Sequence, residues 1–390
     1  MSKIFNIGVI GIGDISQIYL ENLKKYTDIV KVIAVASRGI EKAQKRATEF
    51  GIEKAYASGD ELIKDPDIDI VLNLTTPEAH AYYNLEALKA GKHVYTEKPL
   101  AATFAEGKEI MDLAKEKALY VGCAPDTFLG SRGQTLRRII DDGTLGKITA
   151  ASAFVVSHGH EWHHPSPDFF YQPGAGPLLD IGPYYMTALL SVLGPVKTVC
   201  ALAKTTFPVR TIESEPRKGQ TIEVNTDTHI TALLEFVNGV EATLITSFDI
   251  WDSQLPRMEF YGEKGTALYA DIDPLDGPNL FGGDLLIRTE STTRWQGLPR
   301  EDKLLETEWD VAQVKHPFPV NSRGIGLVDM ATSINKGKPS RASGDMALHS
   351  LDVMECILKS ANEKKFYSPS TTFVRPEPLP EANSDADAAF

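Results

Sequence analysis

Lys98, in Glu97-Lys98-Pro99 directly after an apolar run, is the residue best placed to move a proton. Partial withdrawal from water would draw its pKa toward neutrality, where a lysine works as general acid and base. A denser group is Ser157-His158-Gly159-His160-Glu161-Trp162-His163-His164-Pro165. His158 and His160 would share one strand face, a spacing a metal could use. The chain offers no distant partner with ligand spacing, so no metal is expected. The stretch then reads as a pocket wall, with His160, Trp162 and His163 facing a small molecule, or as a loop whose histidines bond locally.

The elements that must position these groups can be read from periodicity. Strand patterns at 7–10, 30–36, 68–74, 93–96 and 119–123 alternate with helical ones at 15–25, 41–50, 78–90 and 104–117. Gly51 and Gly91 suit helix C-termini, Pro77 a first helical turn, and Thr103 with Glu106 a capping box. Such alternation predicts an α/β fold that opens with a doubly wound parallel sheet over residues 1–126. After a helix at 134–141, strand patterns dominate, at 148–157, 196–207, 222–228, 230–236, 241–248, 258–261 and 285–289, with a helix at 183–193. Asn238-Gly239 marks a hairpin. The second domain, 127–375, is therefore expected to be α/β with a large, mostly antiparallel open sheet, closed by helices at 324–336 and 347–362. The Pro-, Ala- and acid-rich tail, 376–390, is expected to be disordered.

Gly11-Ile12-Gly13-Asp14-Ile15-Ser16 joins the first strand to the first helix. Gly11 permits a tight turn, Gly13 lets backbone approach a pyrophosphate, and Asp14 and Ile15 open a helix whose unpaired amides face it. Ligands of open α/β sheets lie beyond the carboxyl ends of the strands. That adds Thr75, Thr76, Pro77 and His80 after one strand, and Glu97 with Lys98 after the next, to the surroundings of a dinucleotide. Asp126, past the last strand of this domain, is a further candidate for contact with substrate. The second strand ends in Ala36-Ser37-Arg38 where an NAD site usually has a carboxylate. A hydroxyl and a guanidinium suit a 2′-phosphate better, so NADP is favoured and NAD stays open.

The 390 residues carry a net charge of −13 and no basic cluster, which argues against nucleic acid as a partner. No apolar stretch is long enough for a bilayer, and the N-terminus enters a strand without a signal peptide's apolar core. Three scattered cysteines in apolar surroundings read as buried thiols. The expectation is a cytoplasmic protein.

Gly11-Ile-Gly13, Glu97-Lys98-Pro99 and Gly174-Ala-Gly176-Pro-Leu-Leu-Asp180-Ile-Gly182-Pro-Tyr184, in this order, resemble the Gfo/Idh/MocA oxidoreductase family. The resemblance covers nearly the whole chain apart from the tail. It implies hydride exchange between a nicotinamide and a carbon of a sugar, glycoside or cyclic polyol, in homodimers or homotetramers formed through the open sheet. It implies catalysis by Lys98 and a substrate-holding role for Asp180. Where most members carry a histidine this chain has Tyr184, as does glucose–fructose oxidoreductase; if the segment is helical it shares a face with Asp180 four residues before, and its phenol can donate and accept a proton, which leaves open whether Lys98 or Tyr184 is the main acid/base. Two alternatives remain beside this reading. One is a glycoside-modifying enzyme that retains its cofactor, and the other is a non-catalytic NADP-sensing regulator.

Overall fold

Short runs of buried aliphatic residues make the first sheet. A computed structural model describes residues 2–269, 280–289, 309–382, 384–388 and 390. The elements run β1 (Phe5–Ile10), α1 (Ile15–Leu23), β2 (Val30–Ala36), α2 (Ile40–Phe50), β3 (Lys54–Tyr56), α3 (Gly59–Ile63), β4 (Ile70–Asn73), α4 (Pro77–Lys89), β5 (His93–Thr96), α5 (Phe104–Glu116) and β6 (Val121–Cys123). All pairings are parallel in the order β3-β2-β1-β4-β5-β6. The reversal between β1 and β4 opens a crevice at the strands' carboxyl ends. The expected punctuation is present: Gly51 ends α2 in the left-handed region at φ +67°, and Thr103 and Glu106 form the capping box of α5.

The chain continues through α6 (Ser131–Asp141), β7 (Ile148–Val156), α7 (Pro177–Asp180), α8 (Gly182–Leu193), β8 (Val196–Lys204), β9 (Val209–Thr211), β10 (Thr221–Glu223), β11 (His229–Phe236), β12 (Glu241–Ser247), β13 (Met258–Gly262), β14 (Gly265–Tyr269), β15 (Leu285–Thr289), β16 (Asp310–Val311), α9 (Ile325–Lys336) and α10 (Gly344–Glu363). Among the described residues the second sheet has the order β16-β15-β14-β13-β7-β12-β11-β8. It is antiparallel except where β7 runs parallel to β12. Asn238-Gly239 turns the β11–β12 hairpin, with Gly239 at φ +85° and the turn closed by Phe236 N donating to Val240 O at 2.8 Å. The segment at 222–228 departs from the expected sheet strand: only Thr221–Glu223 is a strand, and it pairs with β9 in a separate ribbon.

Helices α9 and α10 tie the two sheets together. The segment between them lies along β6, where Cys123 N donates to Ala342 O at 3.0 Å, and α10 packs on both α5 and β8. One apolar core consequently runs through both domains. The tail corrects the expectation of disorder. Arg137 Nη1 donates to Pro376 O at 2.8 Å, Arg341 Nε to Glu377 O at 2.9 Å, and Gln134 Oε1 accepts from Leu379 N at 2.7 Å. Leu379 is buried, and the Phe390 ring stacks on Phe318. Composition counted the segment's prolines and acids but could not show that its free carbonyls would satisfy two arginines of the body. Among the described residues no helix is long and apolar enough to cross a membrane.

Candidate active site

At the mouth of the crevice, Gly11 is held at φ +89°, and a Cβ there would lie 2.6 Å from the Leu74 carbonyl carbon. Only glycine allows β1 and β4 to approach so closely at this turn. Gly13 is the opposite case: a Cβ would meet nothing within 4 Å, so open space lies above the loop where the backbone can receive a ligand. Ser16 is buried and its Oγ donates to Gly13 O at 2.6 Å, which fixes the loop against α1. Asp14 is exposed at the N-cap of α1 and makes no side-chain cap bond there, and Ile15 begins the helix. Arg38 is exposed and Ser37 half-buried past the end of β2. Thr76 and Pro77 are exposed at the start of α4, while Thr75 Oγ1 donates to Asn73 Oδ1 at 2.6 Å. Open backbone at Gly13, a helix N-terminus and a guanidinium beside the second strand fit a dinucleotide phosphate chain.

Three residues expected at the ligand are buried and bonded within the protein. His80 is fully buried, with Nδ1 2.7 Å from Pro99 O and Nε2 3.0 Å from Thr75 O. It braces two loops, and burial lowers its pKa. Glu97 is buried too: Oε1 accepts from Tyr19 OH at 2.7 Å and Oε2 from Lys98 N at 3.0 Å. Asp126 is wholly buried, and its Oδ2 accepts from Gly324 N and Gly326 N, each at 2.9 Å, at the head of α9. Burial lifts its carboxyl to about 6, against those amides and Arg323, which act to lower it.

Lys98, Asp180 and Tyr184 do come together. Lys98 Nζ donates to Asp180 O at 2.5 Å and to Asp180 Oδ1 at 3.0 Å, and it lies 5.3 Å from the centre of the Tyr184 ring. Asp180 and Tyr184 lie on successive helices. Pro183 lacks an amide proton, so α7 ends at Asp180 and α8 restarts at Gly182, yet both residues still face Lys98. The charge state of Lys98 also departs from expectation. Burial pulls its pKa down, but Asp180, Tyr184 and Glu97 outweigh that and hold it above the ordinary lysine value. For Asp180, burial acts to raise the carboxyl, and Lys98 and His160 outweigh it, holding it well below the usual carboxylate range. The two form an ammonium–carboxylate ion pair in which each favours the other's charged form.

The histidine-rich stretch contributes one residue to this centre. His160 Nε2 lies 3.3 Å from Asp180 Oδ2, and its ring stacks on Phe170 at 3.9 Å. His163 contacts His160 edge-on at 5.3 Å. Trp162 tilts against His163 at the rim, 58% exposed, with Nε1 donating to Gly159 O. Underneath, Glu161 is buried with Arg210, which also pairs with Asp249, while Tyr171 OH donates to Glu161. Among the described residues no group of three or more His, Cys, Asp or Glu is arranged to hold a metal. Sequence reading missed Arg323, whose Nη2 lies 3.4 Å from Tyr184 OH. Ser322-Arg323-Gly324 reads only as a helix start, and nothing but the fold brings it to the tyrosine.

Comparison with known proteins agrees with this architecture. Residues 5–124 match the model of the Gfo/Idh/MocA oxidoreductase family, NAD-binding Rossmann fold, and residues 134–268 match the Gfo/Idh/MocA C-terminal domain. Trans-1,2-dihydrobenzene-1,2-diol dehydrogenase of Mus musculus is 30% identical over 239 residues, 61% of this chain and 66% of that protein. For 1,5-anhydro-D-fructose reductase of Ensifer adhaerens the figures are 34% over 155 residues, 39% of this chain and 45% of that one. The matches thus span less than two thirds of either relative. Levoglucosan dehydrogenase in complex with NADH shares the fold at TM-score 0.78 and 19% identity, covering 95% of this chain and 100% of that structure. Aldose-aldose oxidoreductase from Caulobacter crescentus does so at 0.71 and 22%, covering 94% and 100%.

Proposed function

Because the chain belongs to the Gfo/Idh/MocA oxidoreductase family, we propose that it is an NAD(P)-dependent dehydrogenase or reductase. It would exchange a hydride between nicotinamide and a hydroxyl-bearing or carbonyl carbon of a sugar, glycoside or cyclic polyol. The observation that carries this is the Lys98–Asp180 ion pair beside the Tyr184 ring, just past the carboxyl end of β5, in a domain whose Gly13 loop past β1 is open to a ligand. Gly11, Gly13, Asp14 and Ile15 would hold the pyrophosphate, Ser37 and Arg38 the adenosine ribose, and Thr75, Thr76 and Pro77 the region near the nicotinamide. When bound, that cofactor supplies the acceptor or donor of the hydride. The exposed Arg38 favours NADP, since a guanidinium matches a 2′-phosphate.

The protein's own groups divide the remaining work. Asp180 and His160 bind substrate hydroxyls, and Trp162 and His163 close the rim against a C–H face. In reduction Tyr184 gives its phenol proton to the oxygen of the forming alcohol and is left as phenolate, and in oxidation that phenolate takes the hydroxyl proton and returns to the phenol. Lys98, held charged, stabilises the negative charge that develops on oxygen during that transfer. Holding substrate and cofactor in register is worth roughly 7–11 kcal/mol over free encounter. The outer face of the second sheet carries exposed apolar side chains, among them Leu202 on β8 at 64% and Leu233 on β11 at 57%. A second copy of the chain is the partner this face suits, in a homodimer or homotetramer.

Turnover of purified protein with NADP(+) and NAD(+), across monosaccharides, inositols and glycosides, tests the proposal. Formation of reduced nicotinamide with one substrate class is expected. Cofactor binding without turnover on any member of the panel would instead favour the sensor or the retained-cofactor enzyme.

A further inference from the structure

Tyr184 meets a second cation besides Lys98, supplied by a different part of the chain. Arg323 lies just ahead of α9, is 8% exposed, and its Nη2 is 3.4 Å from Tyr184 OH. Its guanidinium carbon is 5.8 Å from the Tyr184 ring centre, where Lys98 Nζ is at 5.3 Å. The two cations differ in what else they touch. Lys98 is ion-paired with the Asp180 carboxylate at 3.0 Å, so much of its charge is already compensated. Arg323 Nη1 instead donates to the neutral Asn321 amide oxygen at 2.7 Å. An arginine keeps its charge at any pH the fold survives.

The backbone around Arg323 is fastened to the dinucleotide-binding half of the molecule. Asn22 Nδ2, on α1, donates to Asn321 O and to Arg323 O, both at 3.0 Å. Gly324 N and Gly326 N are held by Asp126. The guanidinium is therefore anchored on both sides of the residue and aimed at the phenol oxygen. By donating there it leaves the Tyr184 proton free to point at substrate, and it steadies negative charge on that oxygen once the proton has moved.

We infer that Arg323 is a positioning residue for Tyr184, orienting the phenol and stabilising the charge that proton transfer places on it. The inference rests on the proposed oxidoreductase reading, with Tyr184 as the group that handles the proton. It is tested by a double-mutant cycle in the holoenzyme with the substrate found by the panel, comparing wild type, Arg323→Met, Tyr184→Phe and the double variant. Arg323→Met is expected to lower kcat by about 10²-fold, the cost of losing one donor to a developing oxyanion. KM and cofactor Kd should stay within about twofold, and Arg323→Lys should recover part of the loss. In the Tyr184→Phe background the same substitution should cost nothing more.

Unchanged kcat in Arg323→Met, or a loss that simply adds to that of Tyr184→Phe, would overturn the inference while leaving the oxidoreductase reading in place. Wild-type silence on the panel would overturn that reading, and this inference with it. If Arg323→Met does not fold, Asn321→Ala keeps the guanidinium but releases Nη1. It should lower kcat and spare cofactor affinity, and an unchanged kcat there overturns the inference.

Discussion

At the scale of single residues, the site is organised by where its charges can and cannot move. Lys98 and Asp180 stabilise each other's ionised forms, which argues against either as the proton carrier. That leaves Tyr184 as the mobile acid and base in our account, with cations on two sides. Lys98, Asp180 and Tyr184 stand out in their motifs, and the fold brings the three together. The behaviour of Lys98 was not, because a pKa depends on which charges the fold places beside it. His80 shows the same limit: the sequence put it after a strand where ligands bind, but could not say that carbonyls would face both ring nitrogens. Cofactor choice is a residue-scale question with a residue-scale test. Arg38→Asp should reverse the preference from NADP toward NAD by at least about tenfold in kcat/KM, a difference of about 1.4 kcal/mol. Equal turnover with both cofactors before and after the change would remove Arg38 from the 2′-phosphate site.

Elements with strong periodicity and punctuation were the readable ones. The strands at 30–36 and 93–96 and the capping box of α5 are where the sequence puts them. Short elements were not readable: β3 and α3 span too few residues to show a period, and the break between α7 and α8 turns on one proline. The junction of β6 with α9 yields a pH prediction. Asp126 is raised to about 6 in the folded protein, against an ordinary value of 3.8. A carboxyl raised on folding contributes stability below its unfolded pKa and loses it as pH rises through the folded one. From about pH 4 to pH 6, wild type should therefore lose stability relative to Asp126→Asn, by on the order of 3 kcal/mol. Urea denaturation of both proteins across that window measures the difference. A constant gap would mean that Asp126 is not raised.

At the scale of the whole molecule, α10 and the tail matter more than the linear division into domains suggested. The core is continuous, and the tail is packed along α6 and Arg341 instead of being free. Ending the chain after Arg375 removes Leu379 and Phe390 from their contacts, which should cost about 2–4 kcal/mol from lost apolar burial and lower Tm by several degrees. An unchanged Tm would mean that the tail is held too weakly to count. The fold class and the order of the two sheets were legible because alternating and strand-rich segments are whole-chain patterns. The meeting of Arg323 with Tyr184 was not, since it depends on how the last third of the chain returns to the first sheet.

The central claim is that hydride passes between the nicotinamide ring and a substrate carbon beside Lys98 and Tyr184. The most direct measurement uses NADPH or NADH deuterated at the transferring C4 position, with carbonyl forms of the sugars and polyols, and locates the label by mass spectrometry and NMR. The account predicts one deuterium bonded to the reduced carbon with wild type, and none above background with Lys98→Ala although that variant still binds cofactor. Deuterium retained on the nicotinamide while wild type consumes substrate, or full transfer by Lys98→Ala, would contradict it.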